Sequence, residues 1–413
     1  MTIKELAFIS SHKEDDVNEL LLHARQYPDI DMKVAAQQIQ GWQTAKRKIP
    51  QWSATEGMLF PPHLSLEQCS SEQTAGYKAQ LALHCLEEWK DKMESCYAES
   101  VPFADLTGGF GVDAVTIAAA LPSAMLSFVE VNPELCACAR HNFPLLGVER
   151  FEVFNKPCQE VLDTLPHQFL IFIDPARRDL QGRKTVALSD CTPDITTLQQ
   201  QMMEKAEVVM VKLSPMLDLS EARRSLEGLR EIHVVSVGGE CKEVLLLLDR
   251  EWRSDADVRV KCVNIKSGGT DSFNFLWNES QTAEAEYAEA LGGWLYEPNA
   301  SVMKAGAYKL VGRRFGLKKL SANSHLYTSD TLVEGFPGRT FKLDSTYTMS
   351  KKDVRRLKER TSKANITVRN FPLKVDELRQ RLKISEGGND YLFATTLANQ
   401  SHLLLLCRKA GED

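Results

Sequence analysis

The sequence predicts an α/β protein: a Rossmann-like, doubly wound sheet preceded by a helical N-terminal domain and followed by a small basic α+β module. Three observations predict it. Phe103 to Val115, FADLTGGFGVDAV, reads as a strand ending in an acid, then a glycine loop, then an apolar helix. From about Val101 to Asp249 short apolar runs alternate with helical periodicity, the pattern of a mostly parallel sheet. The charge is lopsided: the 413 residues carry −6 net, yet 20 Lys and Arg face only 7 Asp and Glu between Ser301 and Lys383.

Length allows two to four domains, and 43% apolar with 26% charged residues is ordinary for a globular chain. No apolar run approaches a membrane span, and MTIKELAFISSHKEDD is no signal peptide. Ten cysteines lie scattered without CxxC pairs, so no metal is expected; reduced thiols and a cytoplasmic location fit best.

Residues 1–95 read as helical. VNELLLHARQY, MKVAAQQIQGWQTAKRKI and QTAGYKAQLALHCLEEWKDKM repeat apolar residues every three or four positions. Pro61-Pro62 breaks the regularity, and Ser70 or Ser71 caps the next helix. Those cap residues either overlie the ligand of the next strand or serve only the helix, and Tyr77-Lys78 reads as a surface pair.

Seven strands follow, at VPFADL, AMLSFVEV, RFEVFN, FLIFIDP, EVVMVKL, EIHVVSV and EVLLLLD, with helices between them and the last strand expected reversed between its neighbours. The crevice outside the first strand's carboxyl end is where such sheets bind ligands. Asp105 sits there, before Thr107, Gly108, Gly109 and Gly111. A dinucleotide loop reads GxGxxG; this spacing differs, and an acid at that spot repels a pyrophosphate but suits an ammonium or sulfonium. S-adenosylmethionine carries both.

Other strand ends add to the site. Glu130, 25 residues past Asp105, can take both ribose hydroxyls in a bidentate hydrogen bond. Beyond the third strand no acid is present for the adenine, leaving Asn155, Gln159 or the backbone to contact it. Asp174-Pro175 ends the fourth strand, where Asp174 would orient a substrate nucleophile at the methyl and Pro175 fixes the turn; Arg177 and Arg178 offer forks for phosphate. Lys212 and Lys242 read as rim lysines, more often solvated than functional. Cys191 and Cys241 are the only positions for a cysteine nucleophile, and inert thiols are the commoner outcome.

Asp105-Leu-Thr-Gly-Gly-Phe-Gly111, Glu130 and Asp174-Pro-Ala-Arg177 together resemble the class I S-adenosylmethionine-dependent methyltransferases. Gln68-Cys-Ser-Ser-Glu72 with Tyr77-Lys78, and Leu295 to Val311, resemble the bacterial group with a C-terminal THUMP-like domain after a small ferredoxin-like piece. The resemblance implies a seven-stranded methyltransferase core at 96–275 after the helical domain at 1–95. It further implies a ferredoxin-like linker domain at 276–319 and a THUMP-like RNA-binding domain at 320–413. True THUMP domains accompany enzymes that modify transfer RNA, so RNA (tRNA or rRNA) is the partner implied.

The C-terminal third has its own signals. WRSDADVRVKCVNIKSGG and TDSFNFLWNES suggest further strands, Thr282 to Leu291 a helix rich in Ala and Glu, and YLFATTLA and SHLLLLCRK closing strands. Lys352, Arg356, Arg360 and Lys363 fall on one side of a basic helix suited to a phosphate backbone. Interleaved aromatics such as Tyr308, Phe315, Phe341 and Tyr347 either stack bases or form the module's core. The expectation is methyl transfer to RNA. A methyltransferase of a protein or small molecule, and a non-catalytic RNA-binding protein, are the alternatives.

Overall fold

The computed structural model describes residues 1–92, 100–176, 188–252 and 256–411. The chain packs as two compact units: Met1–Glu231 with Glu243–Ala256, and Ile232–Lys242 with Asp257–Asp413.

In the first unit, helices Ile3–His12, Val17–Leu22, Met32–Lys48, Pro50–Ala54, His63–Gln68 and Glu72–Lys92 precede the sheet. Their starts follow local chemistry. Asp31 accepts from the Lys33 and Val34 amides, and Pro50 opens its helix where its missing N–H costs nothing. Ser71, not Ser70, caps the long helix, its Oγ accepting from the Thr74 amide at 3.3 Å.

The strands are β1 Val101–Asp105, β2 Ala124–Val129, β3 Phe151–Phe154, β4 Gln168–Ile173, β5 Ala206–Leu213, β6 Leu229–Val237 and β7 Glu240–Asp249. The hairpin β8 Arg259–Lys266 and β9 Gly269–Leu276 that follows belongs to the second unit, as do the residues of β6 from Ile232 on. β1 pairs in parallel with β2 and β4, β2 with β3, and β4 with β5. β7 runs antiparallel to β5, Val208 opposite Asp249 through Leu213 opposite Val244. The sheet order is β3-β2-β1-β4-β5-β7-β6-β8-β9, the reversed strand lying where expected. Central strands β1 and β4 are buried at every residue because helices cover both faces, which is why they read as unbroken apolar runs.

In the second unit a seven-stranded sheet has the order β11-β12-β10-β13-β16-β15-β14. Its members are β10 Trp294–Pro298, β11 Lys318–Lys319, β12 Tyr327–Ser329, β13 Gly338–Tyr347, β14 Asn365–Arg369, β15 Asp390–Thr396 and β16 His402–Lys409. Leu295, Leu320, Leu326, Phe341, Phe393 and Leu405 form one core cluster. Leu357, Leu378, Leu392 and Leu404 belong to a second, under the helices Lys351–Arg360 and Val375–Leu382. The interleaved aromatics serve packing: Phe341 and Tyr347 are buried, and Phe315 packs on Phe273 and Phe336.

The helix expected over Thr282 to Leu291 does not form. A short helix, Trp277–Thr282, ends where it was to begin, and the next residues run extended. Lys319 donates its amide to Glu286 O, and Ala288 donates to Lys319 O. This backbone pairing, with Ala283 buried, outweighs the helix propensity of alanine and glutamate.

Candidate functional site

The site is built at the carboxyl ends of β1, β2, β4, β5 and the start of β7. β1 ends on Asp105, wholly buried, with Oδ1 accepting from the Thr107 amide at 3.0 Å. The loop turns back so that Gly108 N–H donates to Val129 O at 2.8 Å. Gly111 closes it at φ 89°, in the left-handed region, and starts the helix Val112–Ala120.

The glycines answer two demands. A Cβ on Gly108 would stand 2.2 Å from the Phe128 ring, and one on Gly111 2.7 Å from Phe143, so both make room for aromatic packing. A Cβ on Gly109 would meet only Thr107 O at 3.9 Å, but its φ of 58° is left-handed; its amide donates to Glu130 Oε2 at 2.8 Å. The Asn132 amide holds the other Glu130 oxygen, also at 2.8 Å. Each oxygen keeps a further lone pair. Asn155 is exposed, and its amide donates to the Glu130 and Val131 carbonyls at 2.9 Å each, tying the loop after β3 to the turn after β2.

Thr107 Oγ1 accepts from the Asp174 amide at 2.6 Å, which draws the end of β4 against the glycine loop. Asp174 is partly exposed, and its Oδ2 lies 2.5 Å from Lys212 Nζ; Pro175 behind it is buried. Arg177 and Arg178 lie outside the described residues.

Tyr77-Lys78 is not the surface pair expected: Tyr77 is half buried and Lys78 has no exposed surface. Lys78 Nζ donates to both Glu243 oxygens at 2.7 and 2.8 Å and to Ser70 Oγ at 3.2 Å, and lies 3.2 Å from Asp113 Oδ1. Ser70 in turn donates to Asp113 Oδ2 at 2.7 Å. Lys212 is not a solvated rim lysine either. It is largely buried, 3.7 Å from Asp113 as well as paired with Asp174, so it belongs to this network rather than to a solvated rim. Lys242 does stay at the surface, paired with Glu240. Cys191 is buried and Cys241 half buried.

Electrostatics follow from this crowding. Burial pushes Asp105 well above the usual carboxylate range; Asp113, Asp174 and Glu130 push further, against the Thr107 amide. Burial works against ionised Asp113, yet Lys78 and Lys212 outweigh it and hold the carboxyl below its ordinary value. Burial dominates at Glu243 and raises it. Lys212 is opposed by burial, but Asp174, Asp113 and Glu243 keep it firmly charged.

Relatives place this architecture. A model of a ferredoxin-like domain matches residues 294–337, and one of a THUMP-like domain residues 338–409. Two Mycobacterium tuberculosis relatives, from strains CDC 1551 and H37Rv, are named uncharacterised S-adenosylmethionine-dependent methyltransferases. Each is 28% identical over 262 residues, 62% of this chain and 66% of the relative, so the match spans just under two thirds of their length. A crystal structure from Porphyromonas gingivalis W83, described as a candidate methyltransferase, is 32% identical with a TM-score of 0.85. The similarity covers 99% of this chain and 98% of that one. The chain belongs to this family of S-adenosylmethionine-dependent methyltransferases.

The residues of this methyltransferase fit its family's cofactor. Asp105 is buried among three further carboxylates, a charge imbalance that a ligand bearing an ammonium and a sulfonium relieves. Glu130 is fixed by two backbone amides and retains lone pairs for hydroxyl donors. Lys78 and Glu243 escaped the sequence reading because they lie 165 residues apart and no local pattern connects them. Gln68 to Lys78, singled out only by resemblance, was the nearest signal. Among the described residues no helix is long and apolar enough to cross a membrane, and no cluster of His, Cys, Asp and Glu has the form of a metal site.

Proposed function

We propose that the protein transfers a methyl group from S-adenosylmethionine to RNA. The observation that carries this reading is the joining, in one chain, of the carboxylate-lined glycine loop to a segment matched by a THUMP-like model. The cofactor supplies an electrophilic methyl on a sulfonium. Asp105 would accept from its ammonium group and Glu130 from the ribose hydroxyls, through the lone pairs the backbone amides leave unused. Thr107 and Asn155 keep the loops around them in place.

Asp174 would accept a hydrogen bond from the substrate nucleophile through Oδ1 and hold its lone pair toward the methyl. Lys212 fixes Oδ2 and so limits rotation of the carboxylate. Positioning supplies most of the rate in such a displacement. RNA would be docked through phosphates, with base choice left to the pocket.

Calorimetry with S-adenosylhomocysteine, followed by transfer of tritiated methyl from S-adenosylmethionine to total RNA, tests the reading. Binding without incorporation into RNA, but with incorporation into protein or a small molecule, would transfer the assignment to those acceptors. Asp174→Ala should leave S-adenosylhomocysteine affinity within a few-fold and lower incorporation at least a hundred-fold, on the order of a lost positioning group. An unimpaired rate would remove its role.

The basic helix Lys351–Arg360 is a weaker RNA candidate than its sequence suggests. Arg356 reaches Asp353 at 3.5 Å and Arg360 reaches both oxygens of Asp344, so their charges are partly spoken for; Lys363 lies beyond the helix. Neutralising Lys352, Arg356 and Arg360 together is therefore expected to reduce the salt slope of RNA binding by less than three phosphates' worth. A slope unchanged from wild type would leave this helix as ordinary surface.

A further inference from the structure

The second unit holds a better-organised cationic site. Glu297 on β10 is only 3% exposed as a side chain, and it faces Arg339 on β13. Glu297 Oε2 accepts from Arg339 Nε at 2.9 Å and from its Nη2. The other oxygen, Oε1, accepts from Arg369 Nε at 3.1 Å and Nη2 at 2.8 Å. Arg369 is the last residue of β14. One buried carboxylate thus holds two guanidiniums edge-on and neutralises one of them.

What remains is a preset pair of donors with a net positive charge. A guanidinium has five N–H groups, so each arginine keeps three that Glu297 does not engage. The side chains are 44% and 39% exposed, and among the described residues neither makes another ion pair. Arg339 also lies over the Phe341 and Tyr391 rings, 5.4 and 6.0 Å from their centroids, which holds its plane. Unlike Arg356 and Arg360, which each face an acid of their own, these two share one acid whose single charge cannot neutralise both.

A stacked histidine lies within the field of Arg369. His325 stacks on Tyr308 at 3.7 Å, and its Nδ1 is buried without a hydrogen-bond partner. Burial, then Lys319 and Arg369, lower His325 to about 4, and burial with Lys309 lowers Lys319 to about 8. His325 is therefore uncharged near neutral pH, and the positive charge beside it is that of Arg369 and Lys319.

We propose that Arg339 and Arg369, oriented by Glu297, form a phosphate-binding clamp that takes a phosphodiester of the RNA strand. Planar forks held at fixed angles match phosphate oxygens better than mobile lysines do. The clamp joins the segment matched as ferredoxin-like, which holds Glu297, to the segment matched as THUMP-like, which holds both arginines. That the phosphate is RNA's rests on the proposed function.

Fluorescence anisotropy of a labelled single-stranded oligoribonucleotide, titrated with full-length protein at several salt concentrations, tests the clamp. A parallel arm measures the shift in melting temperature with inorganic phosphate. Arg369→Gln and Arg339→Gln should each weaken RNA binding about ten-fold and reduce the log–log salt slope by about one. Arg369→Lys and Arg339→Lys keep the charge and should keep the slope, while still losing affinity several-fold. Each single variant leaves Glu297 one guanidinium, and the lysine variants keep the test readable if a glutamine variant fails to fold.

RNA binding that is unchanged in the lysine and glutamine variants overturns the clamp and leaves the RNA reading standing. Wild-type protein that ignores RNA but is stabilised by phosphate, with that effect lost in the variants, assigns the clamp to free phosphate and sinks the RNA reading. Binding of neither ligand overturns both.

Discussion

Lys78→Met is expected to destabilise the protein by about 3–5 kcal/mol, the usual cost of stripping the partner from a buried charge. Lys78 contacts Glu243, Asp113 and Ser70 from a position with no access to water, so solvent cannot replace the lost ammonium. Urea unfolding followed by tryptophan fluorescence measures the loss. The pH dependence has a definite sign. Glu243 already sits above its ordinary value, and without Lys78 it rises further. The folded variant then binds more protons than the unfolded chain, so its deficit is smallest in acid and grows as pH rises through the new Glu243 pKa. Glu243→Gln added to Lys78→Met removes the orphaned charge and should recover part of the stability. A single-variant loss under about 1 kcal/mol, flat with pH, would mean that the network contributes nothing as a charged unit.

The second large effect concerns cofactor affinity. Asp105→Ala is expected to weaken S-adenosylhomocysteine binding by about 2–5 kcal/mol, roughly thirty-fold to several thousand-fold. Retained wild-type affinity would show that the ammonium is held elsewhere. Asp105 also predicts how affinity varies with pH. Burial and three neighbouring carboxylates raise its pKa in the ligand-free protein, whereas an ammonium ligand favours the ionised form. Below the raised pKa each unit of acid should therefore cost about ten-fold in affinity, and binding should release a proton; above it, affinity should level off. Calorimetry in two buffers of different ionisation enthalpy counts that proton. Asp105→Asn should bind weakly with no such pH dependence.

The parts of the fold that could be read from sequence were those whose cause is local. β1 and β4 are covered on both faces and so are apolar throughout, and the Gly111 turn into the helix Val112–Ala120 is signalled by the glycines themselves. Asp105 and Glu130 end neighbouring strands, so a periodic reading could bring them together. The missed features depend on distant partners. Lys78 looks like any lysine of an amphipathic helix until β7 supplies Glu243, and Lys212 looks solvated until Asp113 and Asp174 close on it. Thr282 to Leu291 has helical composition, but its backbone is claimed by Lys319. The charge of the basic helix was legible, whereas Asp344, sixteen residues before Arg360, was not visible as its partner.

The bond between Lys78 and Glu243 also sets a timetable for assembly. At ribosomal rates of about 5–20 residues per second, the 165 residues between them take roughly eight to thirty seconds to emerge. Until Glu243 is made, Asp113 and the Ser70 hydroxyl are the partners at hand for the Lys78 ammonium. The set of partners that Lys78 holds in the folded protein is therefore complete only when the antiparallel strand has been made. A chain cut short before Glu243 would lack the counter-charge that locks this face.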